Sequence, residues 1–310
     1  MKKKDLLGLK ETEKKEIETI LNLGDKFLEI LKRPIPKVPT LRGKTICNLF
    51  FEPSTRTRLS FELAAKRLSA DVINFSANTS ALLKGESTLD TLKNIFAMKV
   101  DCFVIRHSLS GAPYFLANHT SASVINAGDG THEHPTQGLL DIFTMRKYLG
   151  NLKNKKVLII GDILHSRVAR SNIFGLLKFG AEVYLAGPKP LVPDEFEHTG
   201  AKTVNKIDEI IGEVDVVMGL RVQKERGGAS FLPSFEDYRR YYGITAERQK
   251  LIKENAIIMH PGPVNWGVEM DYEVLKDKRC VIHEQVTNGV AIRMAILFYL
   301  LGSGEIKEEG

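Results

Sequence analysis

The sequence predicts an α/β protein built on two mainly parallel sheets flanked by helices. Two observations carry that expectation. Short apolar runs alternate with amphipathic segments from end to end, and they fall into two separate series, one before and one after a helical segment that opens at Pro135. A chain of 310 residues, 43% hydrophobic and 26% charged, is long enough to give each series its own core.

Thr12 is placed to cap a first helix carrying Ile17, Ile20, Leu21, Phe27, Leu28 and Leu31, and the segment 34–39, with three prolines, must end it. Residues 44–51 read as a buried strand. After it, Leu59, Phe61, Leu63, Ala64, Ala65 and Leu68 recur as one apolar helix face. Further strands are expected at 72–75, 102–106 and 123–126. Between the first two lies a loop, 76–90, bearing Ser80 and Lys84, then a helix with Leu89, Leu92 and Ile95. The helix from Pro135 to about Tyr148 packs through Leu139, Leu140, Ile142, Phe143 and Tyr148 and bridges the two series. The second series comprises strands at 156–161, 182–186, 214–220, 256–260 and 280–283. A last helix over 285–301 aligns Val286, Val290, Met294, Leu297 and Leu301 on one stripe, and 302–310 is a frayed polar tail.

Composition excludes several classes. The net charge of +6 suits anionic substrates, but basic residues are interspersed with acidic ones and no basic patch is interleaved with aromatics, which argues against nucleic acid. No apolar stretch reaches transmembrane length, and the lysines at the start are not followed by an export block, so no membrane is expected. Cys47, Cys102 and Cys280 lie in apolar, strand-like runs and read as reduced core residues of a cytoplasmic protein. The absence of paired ligand spacing argues against a metal site.

The most informative run is Phe50-Phe51-Glu52-Pro53-Ser54-Thr55-Arg56-Thr57-Arg58, which delivers a strand into hydroxyls and guanidiniums at a helix start. There, backbone N–H groups lack intrahelical partners and the helix dipole is positive, while arginine's fork of donors matches phosphate geometry. Ser54 alone would be an ordinary cap; the whole run reads as a phosphate site. Arg106 ends a strand, His134 precedes a helix that Pro135 can start, and Arg221 follows a strand, which places all three where open sheets bind ligands. Gly161-Asp162 could suggest a dinucleotide turn, yet Ile163, Leu164, His165 and Ser166 stand where further glycines are needed, so NAD is rejected. Arg167, in the first turn of the next helix, is better read as a carboxylate clamp.

These residues resemble the aspartate and ornithine carbamoyltransferase family. The resemblance continues in order through Ser80 with Lys84-Gly85-Glu86-Ser87, Arg106-His107, His134-Pro135-Thr136-Gln137, Gly161-Asp162 with Arg167, Arg221-Val222-Gln223-Lys224-Glu225-Arg226 and His260-Pro261-Gly262-Pro263. It implies two doubly wound domains: a carbamoyl phosphate-binding domain of 1–134 plus 285–310, to which the last helix returns, and an aspartate-binding domain of 135–284. It further implies that Ser54, Thr55, Arg56, Thr57 and Arg106 hold the phosphate of carbamoyl phosphate. Thr55, Arg106 and His134 donate to its carbonyl oxygen, and Gln137 and the backbone at Gly262 and Pro263 accept from its NH₂. Arg167, Arg221, Gln223 and Lys84 hold the carboxylates of L-aspartate. Ser80 and Lys84 reach a neighbouring subunit's site, so the unit is a homotrimer with shared sites, and a regulatory chain or a dihydroorotase remains open as a partner.

The implied reaction is carbamoyl transfer to L-aspartate in pyrimidine biosynthesis, with no cofactor. The ornithine branch is the nearest alternative. It usually carries a His-Cys-Leu-Pro stretch and a Ser-Met-Gly segment, where this chain has His260-Pro261-Gly262-Pro263 and Arg221-Val222-Gln223. A second guanidinium repels a cationic side chain and welcomes a β-carboxylate. A non-catalytic ligand-sensing paralogue would be expected to lose donors that are all present. One departure is Trp266-Gly267, where relatives commonly have Arg-Gly. The segment 223–242 is expected to be a long loop closing over aspartate.

Overall fold

The computed structural model describes residues 4–76, 97–222 and 234–302. They form two compact units, Met1–Thr136 with Asn288–Gly310, and Gln137–Thr287. Each contains a wholly parallel sheet.

In the first unit, α1 (Lys14–Leu31) opens where the Glu16 carboxylate accepts from the Glu13 backbone N–H at 3.1 Å. Thr12 is not the cap. The helix starts two residues later, and the buried Thr12 hydroxyl donates instead to the Gly8 carbonyl, 2.6 Å away. The sheet is ordered β2-β1-β3-β4, from β1 (Thr45–Phe50), β2 (Asp71–Ser76), β3 (Cys102–His107) and β4 (Ser123–Asp129). Helices α2 (Thr55–Arg67) and α3 (Ala112–His119) follow β1 and β3. Strands covered on both faces read as continuous apolar runs, which is why they were legible. Cys47, Leu49, Phe103, Ile105, Leu116 and Val124 make one core cluster. Phe61, Ala64, Ala65 and Leu68 are buried along α2, but Leu59 and Leu63 are exposed, since they fall outside the arc those four define.

In the second unit the order is β7-β6-β5-β8-β9. It comprises α4 (Pro135–Leu149), β5 (Lys156–Ile160), α5 (Arg167–Lys178), β6 (Glu182–Ala186), β7 (Lys202–Val204), β8 (Val216–Gly219), α6 (Phe235–Tyr242), α7 (Ala246–Leu251), β9 (Ile257–Met259) and α8 (Ile282–Leu301). Residues of α4 up to Thr136 belong to the first unit, as do those of α8 from Asn288. Leu158, Ile160, Val217, Ile244, Ile258 and Met270 anchor the second core.

Three further expectations are corrected. Residues 280–283 are not a strand: Cys280 makes an isolated bridge to Ile258, and Ile282 already starts α8. Cys280 is accordingly only half-buried, whereas burial pushes the Cys47 thiol in β1 up to about 12. The stripe foreseen on α8 is not a stripe, because Val286 is exposed while 291–298 are buried all round, as suits a core helix. Within the first unit that stretch meets α1 through Phe298 on Phe27, ring centroids 5.7 Å apart, and Tyr299 donating to Glu16. Finally, the expected loop 223–242 includes α6. Ser234 caps it by accepting from the Asp237 N–H at 2.9 Å, and Arg239 grips Asp271 with two 2.8 Å hydrogen bonds. Residues 223–233 lie outside the described residues, as do 77–96. Short β7 was not anticipated: unlike the equally short but buried β9, it is exposed or half-buried and reads as no apolar run. Among the described residues no helix is long and apolar enough to cross a membrane.

One tie sets an acid limb. Arg279 pairs with Asp277 at 2.6 Å and donates to the carbonyls of Gln249, Ile252 and Lys253, fastening α7 to the segment before α8. The Arg279 guanidinium holds the Asp277 carboxyl far below its ordinary range. The pair therefore stabilises above the unfolded carboxylate pKa of about 3.9 and loses its contribution as pH falls from there through the folded pKa. Denaturant unfolding of Asp277→Asn is expected to show lower stability at pH 7 and a shallower decline below about pH 4 than the parent; parallel curves would show that the tie carries no such linkage.

Candidate functional site

In the first unit the chain leaves β1 toward β2 on one side while β3 lies on the other, so the order reverses between β1 and β3. Ligand crevices of open α/β sheets form at such a point, beyond the carboxyl ends of the strands. Phe50 pairs with Arg106 in the register, and the Phe51 N–H donates to the Arg106 carbonyl at 2.9 Å. The run 52–57 and Arg106 are thereby adjacent. Ser54 occupies the N-cap position of α2 but makes no side-chain capping bond there. Its hydroxyl is therefore not used to cap the helix. Thr55 and Arg56 are exposed in the first turn, and Thr57 is buried.

Arg106 is half-buried and held from two sides, by the Ala127 carbonyl at 3.2 Å and the Glu52 carboxylate at 3.3 Å. Its partner at Ala127 comes from a slip in the ladder: β3 and β4 pair Ile105 with Asn126 but His107 with Asp129, leaving one extra residue on β4. Such a bulge re-aims groups near strand ends. Asn126 steadies it, accepting from the Gly128 N–H and donating to Asp129, both at 2.8 Å. Asp129, fully buried, also accepts from the N–H groups of Gly111 and Glu133, and Glu133 accepts from those of Leu9 and Lys10. The strand-to-helix segment ahead of His134 is thus tied to α3 and to the chain's beginning. His134 is 4% exposed, with Nδ1 3.3 Å from the Thr136 hydroxyl.

In the second unit the reversal lies between β5 and β8. Gly161 ends β5 at φ +144°, and a Cβ there would meet Leu220 Cβ at 2.9 Å, so the turn requires glycine. Asp162 accepts from the backbone and ring of His165 at 3.0 Å, closing the turn that places Ser166 as the cap of α5, with Arg167 first in the helix and 4% exposed. Arg221 follows β8 and is half-buried. Beside it the Glu269 carboxylate accepts from Val222 N–H (2.7 Å), Asn265 N–H (2.6 Å) and Asn265 Nδ2 (2.7 Å). Burial raises the Glu269 pKa, opposed by those hydrogen bonds and by Arg221. One carboxylate therefore fastens the Arg221 segment to the 260–265 loop. Within that loop the Gly262 N–H donates to His260 Nδ1 at 2.8 Å, which leaves the neutral ring's proton on Nε2, facing Glu269 at 3.7 Å.

Gln137 donates to Asp141 at 3.0 Å. Thus Ser54, Thr55, Arg56, Thr57, Arg106 and His134 gather at the carboxyl edge of one sheet. Gln137, Arg167, Arg221, Gly262 and Pro263 belong to the other unit, while Ser80, Lys84 and Gln223 lie outside the described residues. Trp266 sits edge-on against Tyr272, 5.5 Å between centroids. Sequence reasoning missed the carboxylates that hold these groups: Glu52, Asp129, Asp141 and Glu269. Asp141 did carry a signal, a lone acid within Leu139-Leu140-Asp141-Ile142-Phe143. Among the described residues no group of three or more His, Cys, Asp or Glu is arranged to hold a metal ion.

Comparison with known proteins places the whole described chain in one family. Residues 4–147 match the model of the aspartate/ornithine carbamoyltransferase carbamoyl-P binding domain, and 153–300 that of the Asp/Orn binding domain. The chain is 57% identical over 301 residues to the aspartate carbamoyltransferase catalytic subunit of Syntrophobacter fumaroxidans, covering 97% of this chain and 98% of that one. It is 54% identical to that of Geobacter sulfurreducens, over 99% of each. Among solved structures, aspartate transcarbamoylase from Trypanosoma cruzi in complex with N-(phosphonacetyl)-L-aspartic acid superposes with a TM-score of 0.89 at 31% identity, covering 96% of both chains. The catalytic subunit from M. jannaschii gives 0.84 at 35% identity, covering 96% of this chain and 98% of that one. With both halves matched and relatives this similar along their whole length, the chain belongs to the aspartate/ornithine carbamoyltransferase family.

Proposed function

We propose that the chain is an aspartate carbamoyltransferase, transferring the carbamoyl group of carbamoyl phosphate to the amino group of L-aspartate and giving N-carbamoyl-L-aspartate and phosphate, a step of pyrimidine biosynthesis. The observation that carries it is chemical. A phosphate-suited set stands at the switch point of one sheet, and two arginines, 167 and 221, stand at that of the other. Two guanidiniums suit an acceptor with two carboxylates and repel the cationic side chain of ornithine. The names of the relatives point to the same acceptor.

Ser54, Thr55, Arg56 and Thr57 take the phosphate, assisted by the α2 N-terminus. Arg106 reaches phosphate and carbonyl oxygen, and Thr55 and His134 also donate to that oxygen. The role requires neutral His134 with its proton on Nε2, so that Nδ1, 3.3 Å from the Thr136 hydroxyl, is the accepting nitrogen. The neutral amine of aspartate attacks the carbonyl carbon, forming a C–N bond as the C–O bond to phosphorus breaks. The departing phosphate takes the amine's proton and leaves as hydrogen phosphate. No protein nucleophile is needed, and catalysis is positioning plus preorganised charge. Gln137 and the backbone at Gly262 and Pro263 accept from the carbamoyl NH₂. Arg167, Arg221, Gln223 and Lys84 hold the carboxylates. In this reading the enzyme is a cytoplasmic homotrimer in which Ser80 and Lys84 serve a neighbouring chain's site.

Carbamoylation assayed with aspartate, with ornithine and with no acceptor tests the reading. Product with aspartate alone is expected; transfer to ornithine, or to neither amino acid, would sink it. Sedimentation of the active protein tests the trimer, with a monomer of undiminished activity as the opposing result.

A further inference from the structure

Asp141 is fully buried in α4 and its carboxylate is surrounded by amides. Oδ1 accepts from Gln137 Nε2 at 3.0 Å and from Gln285 Nε2 at 2.8 Å, and Oδ2 accepts from Asn172 Nδ2 at 2.9 Å. Each donor belongs to a different part of the second unit's machinery. Gln137 opens that unit's share of α4. Asn172 lies on α5, the helix that begins at Arg167, and also donates to the Val168 carbonyl at 3.1 Å. Gln285 closes the first turn of α8, and its Oε1 accepts from the His260 N–H at 3.0 Å, which ties in the loop carrying Gly262 and Pro263.

An ionised carboxylate only accepts hydrogen bonds, so a glutamine facing it must present its NH₂. The Gln137 amide is planar, and its oxygen is then turned the other way. We propose that Asp141 is a positioning residue that selects this orientation of Gln137, so that Oε1, an acceptor, rather than Nε2, a donor, meets the carbamoyl NH₂. This rests on the function proposed above. A reversed amide would set NH₂ against NH₂, and two donors facing each other in a dry site cost far more than one missing bond. Asp141 itself touches no substrate. Its effect passes through the amide of Gln137, while the bonds to Gln285 and Asn172 hold the carboxylate at the angle that makes the selection.

The test is a double-mutant cycle in the full chain, read on kcat with aspartate and on the Kd for carbamoyl phosphate by calorimetry, with thermal melts beside both. Gln137→Glu keeps an acceptor toward substrate but sets two carboxylates together. It is expected to lower kcat about 10²-fold at neutral pH and to recover as pH falls and the pair takes up a shared proton. Adding Asp141→Asn supplies a donor to Glu in place of the repelling carboxylate, and is expected to raise kcat at least tenfold over Gln137→Glu. Alone, Asp141→Asn is expected to lower kcat, because an amide that both donates and accepts no longer dictates which end of Gln137 faces it; turnover equal to the parent's overturns the inference. A purely structural Asp141 gives the opposite result: Asp141→Asn would lower activity further in the Gln137→Glu background, and that outcome overturns the inference.

Should Gln137→Glu not fold, Gln137→Met closes an equivalent cycle. With the amide gone, Asp141→Asn is expected to cost no further turnover, and an added loss overturns the inference. Parent protein that neither binds carbamoyl phosphate nor carbamoylates aspartate would refute the proposed function itself. An active parent with a failed cycle refutes only the role of Asp141.

Discussion

Arg56→Ala is expected to lower kcat/KM for carbamoyl phosphate by about 10³-fold, about 4 kcal/mol of transition-state stabilisation. Arg56 lies in the first turn of α2, beyond the carboxyl end of β1, where its fixed charge adds to the helix's own positive end. A phosphate leaving group gains negative charge as its bond to the carbonyl carbon breaks, so a guanidinium at that place stabilises the transition state more than the ground state. The side chain is exposed in the structure, so its removal should cost little folding stability, within about 0.5 kcal/mol. An unchanged melting temperature with collapsed kcat/KM is therefore the signature. Arg56→Lys should recover only part of the loss, because an ammonium supplies charge without the planar fork. Should kcat/KM stay within tenfold of the parent, the phosphate site is elsewhere.

Arg106→Ala is expected to cost about 10² to 10³-fold in kcat, the scale for an oxyanion-type donor, and also to raise KM for carbamoyl phosphate. Both effects have the same source. The guanidinium spans the Ala127 carbonyl and the Glu52 carboxylate, so its loss removes both a donor and a fixed positive charge from the anion's place. Unlike Arg56, it is enclosed, and a measurable fall in the unfolding midpoint should accompany the loss of rate. Arg106→Lys is no remedy here, since one ammonium cannot reproduce the fork that bridges both partners. Steady-state kinetics on folded variant settles it: turnover equal to the parent would remove Arg106 from the chemistry.

Much of this molecule was legible before its structure. The strands at β1, β3, β5 and β6 declared themselves because a parallel strand covered on both faces must be apolar along its length. The run from Ser54 to Arg58 suggests a phosphate site because helix starts and phosphates have complementary charge, and the structure does set it at the start of α2. Elements failed where local pattern and tertiary surroundings part company. Leu59 and Leu63 look like core but face outward, Val286 joins a stripe that does not exist, and 280–283 is apolar enough for a strand yet turns into α8. Segment 235–242 looks like loop because tyrosines and arginines hide a helix whose only fully buried ring is Tyr238.

By itself, then, the sequence determined the α/β class and the two series of strands, and it supplied the hydroxyl and guanidinium groups proposed to do the chemistry, because these depend on residue type and short-range spacing. Only the tertiary structure decided which strands flank the switch points, that a slip between β3 and β4 hands Ala127 to Arg106, and that Asp129, Asp141 and Glu269 hold the candidate residues in place. Such partners are far apart in the chain, Gln285 and Asp141 by 144 residues, and a hydrogen bond between groups that distant is set by how the backbone folds back, which no local pattern encodes.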